Sequence, residues 1–306
     1  MNISLKQLRY FDSVARLSHF SKAAAHCAVT QPALSMQIQE LEKTLGVQLL
    51  ERSRKGVILT EAGREIAARA ERVLADVRDI VDTAHRQRGM LAGSLHLGVI
   101  PTLAPYVLPA AFPLVRDKYP QLDLHLRETQ TQNLIEELLQ GELDLLLLAL
   151  PVEHPDIETI KLFSDRFLLA LPKARHIAAN RVRATPELLQ QDRLLLLEEG
   201  HCLREQALSF CNLRRVDNID TFGASNLSTI VQMVANGLGM TLLPELAVDL
   251  ECRRGNIKLM RFSDPEPRRV VGLAFRKSSP RQRDFAALGK LIAQAASAQI
   301  KDMELV

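Results

Sequence analysis

Two cysteines, Cys202 and Cys211, lie nine positions apart in the second half of the chain. Cys202 has His201 before it and Arg204 after it, and a helix is predicted to begin there. Cationic neighbours and helix starts favour the thiolate, which is the nucleophilic form of cysteine. Cys211 is placed to react with a sulfenic acid on Cys202. The pair indicates a redox switch, although two neighbouring cysteines in a reduced protein are also typical of ordinary buried thiols.

The predicted helix between the two thiols gives this switch a mechanical consequence. A helix rises about 1.5 Å per residue, so roughly 13 Å of axis would separate Cys202 from Cys211, with their side chains on opposite faces. A disulfide tolerates Cα atoms no more than about 7 Å apart. Forming the bond would therefore unwind the helix and turn an oxidation into a change of shape.

The composition is that of an ordinary globular protein. A length of 306 residues suffices for two or three packed units. Residues 1–10 lack the apolar run of a secretory signal, and the longest apolar stretch, 145–151, is too short to span a bilayer. We therefore expect a cytoplasmic protein with no membrane partner.

The four cysteines are too scattered for a disulfide scaffold or a zinc cluster, so we expect no metal and no cofactor.

The charge is uneven along the chain, although the net charge is only +3. Residues 1–90 carry 14 Lys and Arg against 10 Asp and Glu, a net +4, whereas the other 216 residues carry a net −1. A basic excess at one end is typical of a region with an anionic partner, although a solvated surface can have the same composition.

Apolar residues repeat at helical spacing in the first 45 residues, which predicts three short helices. Ser21 is expected to cap the second helix. Thr30 is expected to cap the third, which has Pro32 in its first turn and ends at Gly46. The third helix turns outward a polar face that carries Gln31, Ser35, Met36, Gln37 and Gln39. Amide and hydroxyl groups pair with base edges in the major groove, so the pattern favours a helix-turn-helix over a purely structural three-helix bundle.

A basic tip follows these helices and lies between two short apolar runs. Residues 52–56 include Arg52, Arg54 and Lys55, and the arrangement predicts a hairpin wing. These side chains are suited to neutralise phosphates, a contact that positions a domain without reading sequence.

A long helix is predicted from its cap, Thr60, to about Arg88. Apolar residues recur along it at alternating steps of four and three, which is the spacing of a coiled-coil seam. The seam consists of Ile66, Ala70, Val73, Val77, Ile80 and Ala84. The pattern predicts a partner helix from a second copy of the chain, and such a dimer presents two reading helices to two half-sites.

Residues 1 to about 89 resemble the winged helix-turn-helix domain of LysR-type transcriptional regulators. The resemblance rests on Phe20-Ser21-Lys22-Ala23-Ala24, Thr30-Gln31-Pro32-Ala33-Leu34-Ser35, Leu41-Glu42, Leu45-Gly46 and Leu50-Glu51-Arg52. It implies double-stranded promoter DNA as a partner. The implied DNA contacts come from Thr30, Gln31, Pro32, Ser35, Met36 and Gln39 on the helix and from Arg52, Arg54 and Lys55 on the wing. Many members of the family carry Arg where this chain has Met36.

Beyond the first 93 residues, strand-like and helical segments alternate. Strands are predicted at 95–100, 122–127, 143–150, 194–197, 219–222, 240–243 and 270–275, and helices at 103–118, 132–140 and 281–299. The alternation implies parallel sheets. Two such open units with a double crossover resemble the effector domains of the same family, which are similar to periplasmic binding proteins. Ligands of such sheets bind beyond the carboxyl ends of strands.

The expected fold class is α/β with an all-α N-terminal part. The expected domains are a winged helix-turn-helix DNA-binding domain (1–60), a linker and dimerisation helix (61–89), a hinge (90–93) and a redox-sensing effector domain (94–306). We expect the effector domain to divide into subdomain I, about 94–164 and 267–306, and subdomain II, about 165–266.

Motifs in the second half resemble the peroxide-sensing branch of that family, the OxyR branch. They are Ile100-Pro101-Thr102, Gln130-Thr131, Gly200-His201-Cys202-Leu203-Arg204, Phe210-Cys211, Thr241-Leu242-Leu243-Pro244 and Glu266-Pro267-Arg268-Arg269. The resemblance implies that Cys202 is the peroxidatic thiol and Cys211 the resolving thiol. It also implies a peroxide pocket that consists of Thr102, Thr131, His201, Gly200 and Arg204.

We therefore expect a peroxide-responsive transcriptional regulator of oxidative-stress genes, and not an enzyme. The expected partners are hydrogen peroxide, promoter DNA, RNA polymerase, cellular thiol reductants and further copies of the chain, as a homodimer that assembles into a homotetramer. Two alternatives use the same residues. One is a regulator that responds to a reversible small-molecule effector, and the other is a thiol peroxidase.

Overall fold

The structure is a computed structural model that describes residues 3–53, 56–85, 89–175, 183–190, 193–210, 219–221, 224–253 and 255–301. The chain forms two compact units. The first unit consists of Met1–Ala84 with Leu139–Gly141, and the second consists of His85–Leu138 and Glu142–Val306.

The first unit has three short helices, a hairpin and a long helix. They are α1 (Leu5–Leu17), α2 (Phe20–His26), α3 (Gln31–Leu45), β1 (Leu50–Ser53), β2 (Gly56–Leu59) and α4 (Glu61–His85). The predicted helix-turn-helix is confirmed, because the apolar faces of α1, α2 and α3 meet in one core around Phe11, Leu34, Ile38 and Leu41. The predicted wing is confirmed too, since β1 and β2 pair as an antiparallel hairpin.

The helix ends differ in part from the sequence predictions. The expectation that Ser21 caps α2 is wrong, because the extended residue His19 is the N-cap and its Nδ1 accepts the Ser21 backbone N–H at 3.2 Å. Thr30 occupies the N-cap of α3, but its side chain makes no capping hydrogen bond. Gly46 ends α3 in a left-handed conformation with φ 71°. Thr60 caps α4 as predicted, since its hydroxyl accepts the N–H of Gly63 at 2.9 Å.

The second unit begins with a run of strands and helices in strict alternation. They are β3 (Gly93–Val99), α5 (Ala104–Lys118), β4 (Leu122–Glu128), α6 (Thr131–Leu139) and β5 (Leu145–Leu150). The strand β3 pairs in parallel with β4 on one side and β5 on the other. This half of the sheet is therefore parallel, as the alternation predicts.

A long strand, β6 (Ile157–Pro172), leads into the rest of the second unit. The remaining elements are β7 (Leu194–Leu196), α7 (Cys202–Phe210), β8 (Ile219–Thr221), α8 (Leu227–Ala235), β9 (Thr241–Pro244), α9 (Val248–Glu251), β10 (Ile257–Arg261), β11 (Arg268–Arg276) and α10 (Gln282–Lys301). The strands β7 and β8 are parallel, and they extend to β9 through a bridge from Leu194 to Met240. The core beneath them includes Leu169, Leu196 and Phe262.

The parallel pairing that the alternation predicts does not extend to the other strands of this sheet. The strand β11 lies between β5 and β6 and is antiparallel to both, while β9 and β10 pair antiparallel with the second half of β6. The prediction came from the alternation of strands with helices, but no helix precedes β6 or β11. The first half of β6 was missed because it exposes much of one face, so it lacks the apolar run of a buried strand.

Among the described residues, no helix is both long enough and apolar enough to cross a membrane.

Gly272 of β11 offers a test of how tightly the central strands pack. A Cβ at this position would lie 2.6 Å from the backbone oxygen of Ile160 and 2.5 Å from Cδ1 of Leu150. We expect Gly272→Ala to lower the free energy of unfolding by about 1–3 kcal/mol, because the backbone oxygen of Ile160 cannot move away without shifting β6. Urea denaturation of the full chain measures this change.

The control is Lys161→Ala, at the residue of β6 that pairs with Gly272 and exposes its side chain. This variant should change the free energy of unfolding by no more than about 0.5 kcal/mol. Equal effects of the two substitutions would contradict the packing argument.

Candidate functional site

The predicted site residues follow three strands of the second unit. Thr102 follows β3, Thr131 begins α6 after β4, and Cys202 begins α7 after β7. The carboxyl ends of strands are where ligands of open α/β sheets bind. The fold thus brings Thr131 and Cys202, which are far apart in sequence, close to one another. The Thr131 hydroxyl is near enough to the Cys202 thiol to lower the pKa of that thiol.

Cys202 is a partly exposed residue whose thiol is largely surrounded by protein atoms. Burial raises the pKa of this thiol above its ordinary value, and it is the largest influence on it. The Arg269 guanidinium, the Thr131 hydroxyl and the backbone N–H of Leu203 each oppose burial and lower the pKa. The thiol is therefore mostly protonated at neutral pH, and a specific set of groups stabilises the thiolate when it forms.

The expectation that His201 and Arg204 favour the thiolate is wrong. His201 is only 5% exposed, and burial lowers the pKa of its imidazole, so the ring is neutral at pH 7. Arg204 points elsewhere: it donates to the carbonyl oxygen of Leu197 at 3.4 Å and lies 3.9 Å from the Glu199 carboxylate. Adjacency in sequence did not indicate which cation acts on the sulfur.

The cation that lowers the pKa of Cys202 is Arg269 on β11, which is fully buried. Its Nε and Nη2 donate to Oδ2 of Asp165 at 2.9 and 2.8 Å. Its Nη1 donates to the Thr102 hydroxyl at 2.8 Å, and its Nη2 donates to the Thr102 carbonyl at 3.0 Å. Arg269 and Asp165 were absent from the predicted site. The only sequence signal for Arg269 was its place in the motif 266–269.

Thr131 and His201 each have a buried polar atom with no hydrogen-bond partner among the described residues. The two atoms are Oγ1 of Thr131 and Nε2 of His201. The Thr131 hydroxyl is near enough to lower the pKa of Cys202, but it makes no hydrogen bond of good geometry. The His201 nitrogen lies 3.8 Å from the Glu198 carboxylate, which is too far for a hydrogen bond. A buried polar group without a partner costs about 1–3 kcal/mol, so both atoms are suited to bind a small polar molecule.

The second unit contains a polar cleft of about 660 Å³. Thr102 and His201 line it, together with Tyr106, Gln130, Asn133, Glu198, Asn226, Ser228 and Glu251. One carboxylate joins elements of this wall: Oε1 of Glu251 accepts from Tyr106 at 2.8 Å and from Ser228 at 2.5 Å. Two of the predicted pocket residues, Thr102 and His201, therefore face the cleft, whereas Cys202 and Thr131 are not among the residues that line it.

Gly200, directly before His201 and Cys202, adopts a backbone conformation that favours glycine. Its φ is +90°, and a Cβ here would lie 2.5 Å from Oε1 of Gln130. The Gln130 amide in turn lies 3.4 Å from the carbonyl oxygen of Glu199. A residue with a side chain would therefore strain the turn that leads into Cys202.

Of the four cysteines, Cys27, Cys202 and Cys252 are free thiols. The predicted resolving residue, Cys211, lies outside the described residues. The helix α7, predicted between the two thiols, is present from Cys202 to Phe210, the residue directly before Cys211.

In the first unit, α3 exposes the residues that were predicted to face DNA. Leu34, Ile38 and Leu41 are buried, whereas Thr30, Gln31, Pro32, Met36 and Gln39 are exposed and Ser35 is half-buried. The Ser21 hydroxyl donates to Oε1 of Gln31 at 2.6 Å and so fixes that amide relative to α2. The side chains of Arg52, Arg54 and Lys55 are outside the described part of the structure.

The predicted coiled-coil residues of α4 fall into two groups. Ile66 packs against the core of its own unit and Ala70 is buried, whereas Val73 is 41% exposed and Ile80 is 69% exposed. Val77 is half-buried, and the side chain of Ala84 is not among those described. The middle of α4 therefore carries an apolar surface that nothing in its own unit covers.

Comparison with known protein families gives two matches that together cover nearly the whole chain. Residues 5–64 match the bacterial regulatory helix-turn-helix proteins of the lysR family, and residues 88–297 match the LysR substrate binding domain. The chain belongs to the LysR family.

Individual relatives are similar over the same length. The chain is 45% identical over 294 residues to a probable hydrogen peroxide-inducible genes activator of Streptomyces viridosporus, covering 95% of this chain and 94% of the relative. It is 40% identical over 290 residues to the DNA-binding transcriptional dual regulator OxyR of Escherichia coli K12, covering 95% of each. The structure of a full-length OxyR variant from Pseudomonas aeruginosa matches with a TM-score of 0.76 and 38% identity, covering 95% of each chain.

The Thr131 hydroxyl can be tested through the reactivity of Cys202. We expect Thr131→Val to raise the pKa of the thiol further, because it removes a hydroxyl that lowers that pKa. A well-formed hydrogen bond to a charged group contributes about 1.5 kcal/mol, so the thiolate fraction at pH 7 should fall by at most roughly tenfold. The pKa of the Cys202 thiol is measured from its alkylation rate at a series of pH values, with mass spectrometry of the peptide that carries it. Thr131→Ser keeps the hydroxyl and should react like the parent chain; equal rates for Val and Ser would contradict the assignment.

Ile80 tests whether α4 pairs with a second copy of the chain. We expect Ile80→Glu to weaken self-association at least about tenfold, because both copies would place a carboxylate on an apolar interface. Sedimentation velocity over a range of concentrations measures it. Ala68 is exposed on α4 and outside the seam, so Ala68→Glu adds the same charge as a control. Dissociation by both variants, or by neither, would contradict a seam through Ile80.

Proposed function

We propose that this chain is a DNA-binding transcriptional regulator that responds to hydrogen peroxide through oxidation of Cys202. The observation that carries the proposal is the surroundings of this thiol, with the Thr131 hydroxyl beside it and the buried Arg269 as its cation. Relatives with similarity over nearly the whole length are named for hydrogen peroxide, which supports the same conclusion.

The first step is attack of the Cys202 thiolate on one oxygen of the peroxide. A sulfur–oxygen bond forms, the oxygen–oxygen bond breaks, and hydroxide leaves and takes up a proton to become water. The Thr102 hydroxyl accepts a hydrogen bond from Arg269, so its own hydrogen is free to be donated to a peroxide oxygen. The unpartnered atoms of Thr131 and His201 supply further hydrogen bonds to peroxide. These groups stabilise the charge that develops on the departing oxygen.

The second step joins the two thiols. The Cys211 sulfur attacks the sulfenic acid on Cys202, a disulfide forms, and water leaves. The eight steps from Cys202 to Phe210 carry α7 about 12 Å along its axis, whereas a disulfide tolerates Cα atoms no more than about 7 Å apart. The bond therefore cannot close while α7 keeps all its turns, and oxidation unwinds the helix.

The unwound state changes how the regulator binds promoter DNA. We propose that α3 reads bases, that Arg52, Arg54 and Lys55 of the wing bind phosphates, and that α4 joins two chains. Residues 1–60 form the DNA-binding domain in this scheme, 61–89 the dimerisation helix, 90–93 a hinge and 94–306 the sensing domain. Dimers assemble into a homotetramer, RNA polymerase is the downstream partner, and thiol reductants reverse the disulfide. One peroxide is consumed per protomer in each cycle, without catalytic turnover.

The cysteine pair can be tested with one equivalent of hydrogen peroxide. We expect mass spectrometry of the digested chain to show a Cys202–Cys211 link, because the sulfenic acid on the first thiol reacts with the second. In Cys211→Ser the oxidised thiol should persist as a sulfenic acid that a dione probe labels, and Cys202→Ser should show neither product. A link that involves Cys27 or Cys252 would contradict the scheme.

The effect of oxidation on DNA binding can be measured separately. Oxidation should lengthen or shorten the DNase footprint of the full chain on a bound promoter fragment, and Cys202→Ser should keep the reduced footprint under peroxide. Identical footprints of reduced and oxidised protein would overturn the link between the thiols and DNA.

The polar cleft lined by Thr102 and His201 supports a second candidate, a regulator with a reversible effector. Its volume of about 660 Å³ is much larger than a peroxide molecule needs, and its walls are polar. Calorimetry of Cys202→Ser against small polar metabolites separates the two, since this variant loses the redox response but keeps a reversible site.

A further inference from the structure

The reading helix α3 carries a large apolar side chain that the core of its unit does not use. Met36 is 61% exposed, whereas Leu34 and Ile38, two positions before and after it, are buried. Two helical steps correspond to about 200°, so Met36 lies on the side of α3 that faces away from the core. The core of the first unit gives no reason for a methionine at this position.

The neighbours of Met36 define a small apolar spot with a polar rim. Pro32 lies one turn before it on the same stripe and is also exposed. Gln31 and Gln39, both exposed, stand on either side. Amide groups at this place are suited to base edges, and the first unit lies in the basic region of the chain. The spot is therefore in the part of the helix from which bases are read.

The chemistry of the methionine side chain limits what it can recognise. A thioether donates no hydrogen bond and is a weak acceptor, so Met36 cannot pair with the polar edge of a base. In the major groove the thymine 5-methyl group is the apolar feature that distinguishes one base pair from the others. A flexible, polarisable thioether packs well against a methyl group, because it adapts to an irregular surface.

We infer that Met36 is a specificity residue that selects a T·A base pair in each half-site by packing against the thymine methyl group. This inference rests on the proposed DNA-reading function of α3. Pro32, with its fixed ring, forms the second wall of the contact. Polar neighbours such as Gln31 and Gln39 read other positions by hydrogen bonds. The two α3 helices of a dimer place this contact symmetrically about the centre of the operator.

The experiment selects duplexes from a random library with the full-length chain and, separately, with Met36→Ala. The parent chain should enrich thymine at one symmetric pair of positions, and this preference should vanish in Met36→Ala while the other positions keep theirs. Met36→Leu is the matched control, because it keeps an apolar side chain of similar size and should keep the thymine.

The second arm removes only the methyl group from the DNA. In the selected duplex each thymine of the preferred pair is replaced by deoxyuridine, which has the same hydrogen-bonding edge. Binding of the parent chain should weaken about fourfold for each methyl group lost, the factor that corresponds to one buried methylene. Met36→Ala should bind the thymine and uracil duplexes equally. A uracil substitution at a thymine outside the preferred pair serves as the control on the DNA side.

Each outcome decides the inference. An unchanged preference in Met36→Ala, or equal binding of thymine and uracil duplexes by the parent chain, would overturn it while DNA reading itself stands. A parent chain that enriches no sequence would overturn both the reading function and this inference. Loss of self-association in Met36→Ala with an unchanged thymine preference would mean that Met36 contacts protein, which also overturns it.

Discussion

The buried ion pair between Arg269 and Asp165 joins the neighbouring strands β11 and β6 of the second unit. The two residues face one another in the register of β11 and β6, and neither side chain is exposed. Arg269 also donates to both oxygens of Thr102, and Asp165 accepts the backbone N–H of Leu246 at 3.3 Å. In this low-dielectric setting the removal of one partner would leave an uncompensated charge, at a cost of about 3–5 kcal/mol. The pair therefore fixes both the sheet and the hydroxyl of Thr102.

The same guanidinium favours the thiolate that the proposed chemistry requires. Enclosure of Cys202 opposes the thiolate, and Arg269 supplies the positive charge that partly restores it. A more exposed thiol would ionise more easily but would also meet larger thiols and disulfides. The residue is only partly exposed, and the unpartnered atoms of Thr131 and His201 are suited to hydrogen-bond a small molecule. Burial thus lowers the reactivity of the Cys202 thiol toward large reagents, while the proposed reaction with a small peroxide stays available.

Much of the fold could be read from the sequence, because periodicity reports burial along one element. The buried stripe of α3, the hairpin wing and the helix that starts at Cys202 all follow from local pattern. The antiparallel pairing was not predicted, since the pairing between β11 and β6 depends on residues about a hundred positions apart. The site, too, depends on contacts between residues that are far apart in sequence. Arg269 donates to Thr102 across 167 positions, and no local pattern announces that contact. The expected effect of His201 was wrong because burial lowers the pKa of the imidazole and so removes its positive charge, and local spacing does not reveal that burial.

Cys202 lies in a setting where proton concentration competes with the oxidant for the same sulfur. Its pKa is raised above the ordinary 9.0, so in neutral solution only a minor fraction of copies carries the reactive anion. Below its pKa that fraction falls tenfold for every unit of acidification, and the rate of sulfur oxidation falls with it. In the proposed mechanism the protein therefore responds to oxidant and acidity jointly, and the same dose of oxidant oxidises Cys202 more slowly in acidified surroundings.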